Sequence, residues 1–84
     1  MTYHLKIIPR CEKDFDSITG HDFDALKKKI LSLSSNPRPF GCQKLTNEDG
    51  YRIRMGNFRI LYRIDDNVKE VLVYRIKHRR EAYR

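Results

Sequence analysis

The stretch YRIRMGNFRILYRI, residues 51–64, decides the fold because it has the pattern of two β-strands joined by a tight turn. Strand-forming residues alternate with arginines on both sides of Gly56-Asn57, a pair typical of two-residue hairpin turns. A turn of that length fixes the strand register and places Arg54 directly opposite Arg59. The predicted apolar face comprises Ile53, Met55, Phe58, Ile60, Tyr62 and Ile64, and the predicted basic face comprises Arg52, Arg54, Arg59 and Arg63.

Hydrophobic spacing before this hairpin predicts one strand and two helices. Alternation over residues 3–8 predicts the strand, and apolar residues at helical spacing over residues 10–18 predict the first helix. Asp22 can cap a second helix, which the proline-containing segment 36–39 ends. The apolar stripe of this second helix consists of Phe23, Leu26, Ile30 and Leu33.

Two further strands accompany the hairpin in the second half of the chain. Residues 43–45 have a short and weak strand pattern, and residues 69–76 have a strong one. The order is then an N-terminal strand, a helical hairpin and an antiparallel β-meander. We therefore predict a single α+β domain, residues 1–84, with the helices packed on one sheet face.

Composition and spacing exclude several classes of protein. The longest apolar run, residues 71–74, is too short to cross a membrane, and the N-terminus lacks a signal-peptide core. Cys11 and Cys42 form no CxxC motif, and no two histidines have metal-ligand spacing. We therefore expect no metal, no cofactor and no disulfide scaffold, and a cytoplasmic location in which the thiols stay reduced.

Positive charge is concentrated in the second half of the chain. Residues 51–84 hold ten basic and four acidic side chains, so they carry +6 of the total net charge of +7. That density indicates a polyanionic partner, nucleic acid before anionic lipid. Eight of the ten basic residues are arginines, whose planar guanidinium groups can hold two phosphate oxygens at once.

The facing arginines favour a functional role for the basic face, with a merely solvated face as the alternative. Like charges directly opposite each other destabilise a sheet, so a structural face would alternate in sign, as we expect for Arg63 and Glu70. Tyr74 is expected opposite Arg59, where its ring could stack on a base. Apolar side chains expected on the same face, and requiring a cover, are Leu61, Leu72 and Ile76.

Two C-terminal motifs resemble the RelE-type toxins of the RelE/ParE superfamily. They are YRIRMGNFRILY over residues 51–62 and HRREAY over residues 78–83, and the resemblance extends along the whole chain. It implies the toxin of a type II toxin–antitoxin system, an mRNA interferase that enters the ribosomal A site. Such a toxin inhibits translation by cleaving mRNA through metal-free attack of the 2′-hydroxyl. The resemblance also implies a cognate antitoxin, through which the complex binds operator DNA.

Matching positions carry the family's site residues over to this chain. The catalytic residues implied by the resemblance are Arg52, Arg54, Arg59, Arg79 and Tyr83. The RNA-binding candidates on the basic face and in the tail are Arg63, Tyr74, Lys77 and Arg80. His78 is a candidate for proton transfer because imidazole ordinarily exchanges protons near neutral pH. The best-studied relatives have lysines at the first two positions, and arginine is a poor base, so the proton acceptor stays open.

Two other functions compete with the nuclease. One is a ParE-like inhibitor of DNA gyrase without enzymatic activity, and the other is an inactive, basic nucleic-acid-binding homologue. The arginine pair on the first hairpin strand, together with Arg79 and Tyr83, favours the nuclease, since the ParE branch generally lacks that full set. The partners expected are therefore an antitoxin, the ribosome with its rRNA, and mRNA, with no membrane.

Overall fold

A computed structural model describes residues 2–18, 20–46 and 48–78, which form a five-stranded sheet and two helices. The elements in chain order are β1 (His4–Ile7), α1 (Pro9–Asp16), α2 (Gly20–Ser32), β2 (Gln43–Lys44), β3 (Tyr51–Met55), β4 (Phe58–Asp65) and β5 (Glu70–His78). The helices pack on one face of the sheet, so the predicted α+β class and its helical hairpin are confirmed.

The sheet is mixed, with strand order β1-β5-β4-β3-β2. All pairs from β2 to β5 are antiparallel, which confirms the predicted meander. The first strand joins the sheet parallel to β5, with His4 opposite Glu70 and Ile7 opposite Val73. The central strand is β4, between β5 and β3, and the inner faces of β4 and β5 are buried.

The register predicted for the hairpin is confirmed. Arg54 lies opposite Arg59, and Met55 lies opposite Phe58. Gly56 has a φ of +59°, the left-handed conformation that the first position of this kind of hairpin turn requires. The two-residue turn therefore aligns the arginines of β3 and β4 as the sequence indicated.

A β-bulge changes the pairing of β4 with β5. The register shifts between Leu61 and Tyr62, and Tyr74 is the extra residue on β5 that has no partner directly opposite. The predicted pairing of Arg59 with Tyr74 is wrong, because the turn between β4 and β5 shifts the register by two residues and the bulge shifts it by one more, which places Lys77 opposite Arg59. The extra residue changes the alternation of β5, so that Val73 and Ile76, three positions apart, both lie in the core. Because residues 71–74 are all apolar, the sequence pattern does not show where that change occurs.

Two more expectations about the basic face are overturned, the first by the turn that joins β4 to β5 and the second by the bulge. Arg63 lies opposite Leu72 rather than Glu70, whose carboxylate is 3.2 Å from the Lys6 ammonium. Ile76 lies in the core with 3% of its surface exposed, so it does not share the basic face. The apolar area on that face is therefore smaller than predicted.

The strand β5 is longer than predicted and ends at His78 rather than at residue 76. Its edge beyond the end of β1 is covered by Asp14 of α1. One oxygen of that carboxylate accepts hydrogen bonds from the Ile76 amide at 2.9 Å and from Arg75 Nε at 3.2 Å. Lys77 is therefore held in the sheet and does not belong to a tail.

The helices cover the core with the predicted stripe. Leu26, Ile30 and Leu33 are at most 2% exposed, and the rings of Phe23 and Phe15 meet edge to face at 5.5 Å, which joins the two helices. The helix α2 begins at Gly20, so Asp22 lies in its first turn rather than at its cap. With 13 residues α2 is the longest helix in the described part of the chain, and no helix there is long and apolar enough to cross a membrane. The buried core consists of Cys11, Leu26, Ile30, Leu33, Ile53, Ile60, Tyr62, Val71, Val73 and Ile76.

Replacing Tyr62 with phenylalanine should lower the free energy of unfolding by about 1 to 2 kcal/mol. The Tyr62 ring is fully buried, and its hydroxyl donates a 2.7 Å hydrogen bond to the Pro37 carbonyl, which the variant leaves without that donor. Urea denaturation measures the change. The control is Tyr51→Phe, whose hydroxyl accepts an exposed hydrogen bond from Arg38, and it should change stability by less than about 0.5 kcal/mol. Equal effects of the two variants would contradict this role for Tyr62.

The two thiols should differ sharply in reactivity. Cys11 is fully buried, and burial next to the Asp14 carboxylate raises the pKa of its thiol to about 12. Since the thiolate is the reactive form, iodoacetamide at mildly alkaline pH should label only Cys42 in the folded protein and both thiols in denaturant. Mass spectrometry counts the labels, and a Cys42→Ser variant should take up none while folded. Labelling of Cys11 as fast as Cys42 would show that this part of the core opens readily.

Candidate nucleic-acid interface

Three basic side chains form a row across the sheet face opposite the helices. Arg54 on β3 lies opposite Arg59 on β4, which in turn lies opposite Lys77 on β5. Alternation along β4 places Arg59 on the outer face, because Ile60 beside it is fully buried. We call Arg54, Arg59 and Lys77 the basic row. Repulsion between adjacent like charges lowers the stability of this arrangement, and the bulge adds to the repulsion because it places Lys77 in the row.

A small cavity of about 90 Å³ opens at the β3 end of the basic row. Its lining carries three positive charges and, among the residues that the structure describes, no carboxylate. We call it the arginine cavity. It is lined by Gly41, Gln43, Arg52, Arg54 and Arg59.

Arg52 is positioned in this cavity by a neutral partner. Its Nε and Nη2 atoms donate to Gln43 Oε1 at 3.1 and 2.5 Å, across the pairing of β2 with β3. An amide oxygen orients the guanidinium group without cancelling its charge. The arrangement can therefore bind a phosphate group, since arginine donors in a fixed geometry suit its oxygens.

Gln43 and Gly41 are site residues that the sequence did not reveal. The pattern over residues 43–45 indicated a strand, but five residues separate it from β3, and a connection of that length does not set the register. The pairing of Gln43 with Arg52 was therefore not predictable. The loop that brings Gly41 to the cavity has no hydrophobic periodicity from which its position could be predicted.

Arg63 and Tyr74 lie together at another part of the outer face. The Arg63 guanidinium is 5.2 Å from the centre of the Tyr74 ring, and its Nε donates to the Asp49 carbonyl at 3.2 Å. Burial raises the pKa of the Tyr74 hydroxyl, which lies beside Gly50. A depression of about 580 Å³ beside Arg63 is lined by the acidic residues Asp49, Asp65, Asp66 and Glu70, a setting that repels phosphate. The structure does not bring these two RNA-binding candidates to the arginine cavity.

Of the remaining predicted site residues, one lies on the sheet face that the helices cover, and the others lie outside the described residues. The His78 ring contacts Phe58 edge to face at 5.1 Å, on the side of the sheet that packs against the core. His78 is therefore separated from the basic row by the thickness of the sheet. Arg79, Arg80 and Tyr83 lie outside the described residues.

Comparison with known families identifies the class of protein. The family model of the ParE toxin of type II toxin–antitoxin system, parDE, matches residues 5–83. The chain therefore belongs to this family of toxins, within the RelE/ParE superfamily that its sequence resembles.

Particular relatives show that the likeness is to RelE toxins. The chain is 30% identical over 90 residues to a protein of Methanocaldococcus jannaschii named "Putative toxin RelE1", and the match covers all of this chain and 98% of that one. A chain of the toxin–antitoxin complex RelBE2 from Mycobacterium tuberculosis superposes with a TM-score of 0.84 and 26% identity, covering 94% of this chain and 100% of that chain. The archaeal RelE–RelB complex from Pyrococcus horikoshii gives 0.83 and 27%, covering 94% and 97%. The protein is thus a RelE-like toxin of a type II toxin–antitoxin system.

Proposed function

We propose that this toxin is a ribosome-dependent endoribonuclease that cleaves mRNA in the ribosomal A site. The observation that carries the proposal is the arginine cavity, where Arg52, Arg54 and Arg59 converge on one depression. Cleavage of RNA passes through a phosphorane with additional negative charge. Donors that are already in place around that charge lower the barrier, and such electrostatic stabilisation is usually the largest contribution to catalysis.

In the proposed reaction the RNA supplies its own nucleophile. The 2′-oxygen forms a bond to the adjacent phosphorus while its proton passes to an acceptor, and the bond from phosphorus to the 5′-oxygen breaks as that oxygen gains a proton. The products are a 2′,3′-cyclic phosphate and a 5′-hydroxyl. We assign Arg59 and Arg79 to the phosphorane, and Arg52 and Arg54 to the flanking phosphates. Tyr83 would orient the substrate or donate the proton.

His78 enters this scheme only if its ring leaves Phe58. That contact lies on the sheet face opposite the arginine cavity, so imidazole cannot reach a phosphate bound there without moving. Lys77 is better placed, since it extends the basic row by one more charge. We therefore assign Lys77 to binding of the RNA backbone. We assign no residue of the toxin as the proton acceptor.

The partner that we propose for the resting toxin is an acidic antitoxin. The structures that match this chain include complexes of RelE with RelB, and the outer face here carries the charge that an acidic segment would neutralise. Leu61 is 9% exposed and Ile76 lies in the core, so these two residues add little apolar area to the outer face. We also propose that the complex with this antitoxin binds operator DNA through the antitoxin.

An in vitro translation reaction tests the proposed nuclease. Purified toxin is added to defined mRNA with and without ribosomes, and the mRNA ends are mapped by primer extension. Cuts that require both toxin and ribosomes, and that stop when antitoxin is added, would support the proposal. Intact mRNA in the presence of folded toxin would refute it.

Inhibition of DNA gyrase is a second candidate, favoured by the ParE family model that matches residues 5–83. A gyrase supercoiling assay with the same protein separates the two functions. Inhibition of supercoiling at toxin concentrations that leave translated mRNA intact would establish the gyrase function instead. We expect the reverse, because inhibition of gyrase gives no reason for three arginines to line one cavity.

A further inference from the structure

Phe40 is the most exposed large apolar residue in the described part of the chain. Its relative exposure is 103%, against 65% for Val68 and 54% for Leu31. A ring exposed to this degree gives up the free energy that burial would provide. Among the residues that the structure describes, Phe40 is therefore not part of the core, and its ring is available to a partner.

The loop that presents Phe40 is held on both sides. Before it, the Pro37 carbonyl accepts the buried hydrogen bond from Tyr62, and the Arg38 guanidinium is 2.9 Å from the Asp66 carboxylate. After it, the Cys42 amide donates to the Pro39 carbonyl at 3.1 Å. Phe40 lies inside that last turn, so its exposure is a fixed property of the loop.

Phe40 also adjoins the arginine cavity. The next residue, Gly41, lines that cavity together with the three arginines, and consecutive Cα atoms are about 3.8 Å apart. Gly41 has a φ of +93°, a left-handed turn immediately after the ring. The loop thus places an exposed aromatic residue next in the chain to a residue that lines the cavity with three arginines.

We propose that Phe40 is a stacking platform for a base of single-stranded RNA whose phosphate occupies the arginine cavity. Proteins that bind single strands combine a positively charged groove with aromatic rings on which bases stack. A ring beside a cavity lined by three cations matches a base attached to a phosphate better than it matches an apolar segment of a protein. The proposal rests on the proposed function, because it takes the cavity to hold RNA. It adds Phe40 as a residue that favours a strand whose base stacks on the ring while its phosphate lies in the cavity.

The chain offers a direct spectroscopic test because it contains no tryptophan. Phe40→Trp therefore places the single indole of the protein at the proposed stacking position. Titration with a short 2′-O-methyl single-stranded RNA, which cannot be cleaved, should quench the indole emission to saturation, and added salt should reverse the quenching. Leu31→Trp, an exposed position on α2 on the opposite side of the sheet, is the matched control and should show no change.

Affinity provides the second readout, measured as fluorescence anisotropy of the labelled RNA. Phe40→Ala should weaken binding at least about fivefold, Phe40→Leu should weaken it similarly, and Phe40→Tyr should retain it, since stacking needs a ring. Unquenched indole emission of the Phe40→Trp variant while the RNA is bound, or wild-type affinity of the leucine variant, would overturn the proposal. So would absence of binding by the wild type at low salt, or a loss of antitoxin binding alone in the alanine variant.

The outcomes also separate this proposal from the proposed nuclease. Quenching of the Phe40→Trp variant together with uncut mRNA in the translation reaction would refute the nuclease and leave the stacking contact standing. Cleavage of mRNA by a variant whose indole is not quenched would refute the stacking contact alone.

Discussion

Replacing Arg59 with alanine is expected to lower the rate of mRNA cleavage about a hundredfold or more, with the fold intact. Arg59 occupies the middle of the basic row and lines the arginine cavity. Removal of one preorganised donor from a developing oxyanion typically has an effect of this size. Urea denaturation of the variant separates a loss of cleavage from a loss of the fold.

The measurement is the rate at which primer-extension products appear in a translation reaction. Arg10→Ala is the matched control, because it removes the same charge from an exposed position on α1. That helix lies on the side of the sheet opposite the basic row, so the variant should cleave at the wild-type rate. Arg59→Lys keeps the charge but loses the planar guanidinium group with its paired N–H donors, so an intermediate rate is expected. Wild-type cleavage by a folded Arg59→Ala variant would show that this arginine does not stabilise the phosphorane.

Replacing Arg54 with glutamate should have two opposite effects. Cleavage should fall at least as far as in the alanine variant of Arg59, since the sign of a charge beside the substrate phosphate is reversed. The free energy of unfolding should instead rise by up to about 1 kcal/mol, because an opposite-charge pair replaces a like-charge pair across the strands. Such a gain of stability with a loss of function would identify the basic row as a feature kept for binding.

Urea denaturation and the cleavage assay are applied to the same preparation. Lys28→Glu makes the same change in net charge at an exposed position in the middle of α2, away from the row and from both helix ends, and it corrects for the general relief of repulsion in a protein of net charge +7. We expect Arg54→Glu to be the more stable of the two variants. A lower stability than that of Lys28→Glu would show that Arg54 makes a structural contribution that outweighs the repulsion.

The hairpin shows what could be predicted from the sequence. A two-residue turn leaves one register, so the pairing of Arg54 with Arg59 followed from the positions of Gly56 and Asn57 alone. The apolar stripe of α2 was equally clear, because three of its four residues are buried as its spacing indicated. In both cases the deciding interactions are local in the chain.

The rest of the site depends on interactions between distant segments. The bulge opposite Leu61 moved Lys77 into the basic row, and the continuous apolar run over residues 71–74 does not show which residue of β5 is the extra one. The contact of His78 with Phe58 depends on the same register. The loop of Phe40 is placed by the Tyr62 hydroxyl, which acts across 25 positions of the chain. Local patterns contain no information about such contacts.

The parallel pairing of β1 with β5 has a consequence for the synthesis of the toxin. The strand that pairs with β1 lies more than sixty positions further along the chain, so β1 has no sheet partner until residues 70–78 have been made. Lys77 belongs to the same segment, and so does the edge of β5 that the Asp14 carboxylate covers. Contacts between segments so far apart in the chain are also slow to form during folding. A nascent chain therefore cannot complete its sheet until residue 78 has left the ribosome, and the ribosome that makes the toxin has translated all five strands before the basic row is complete.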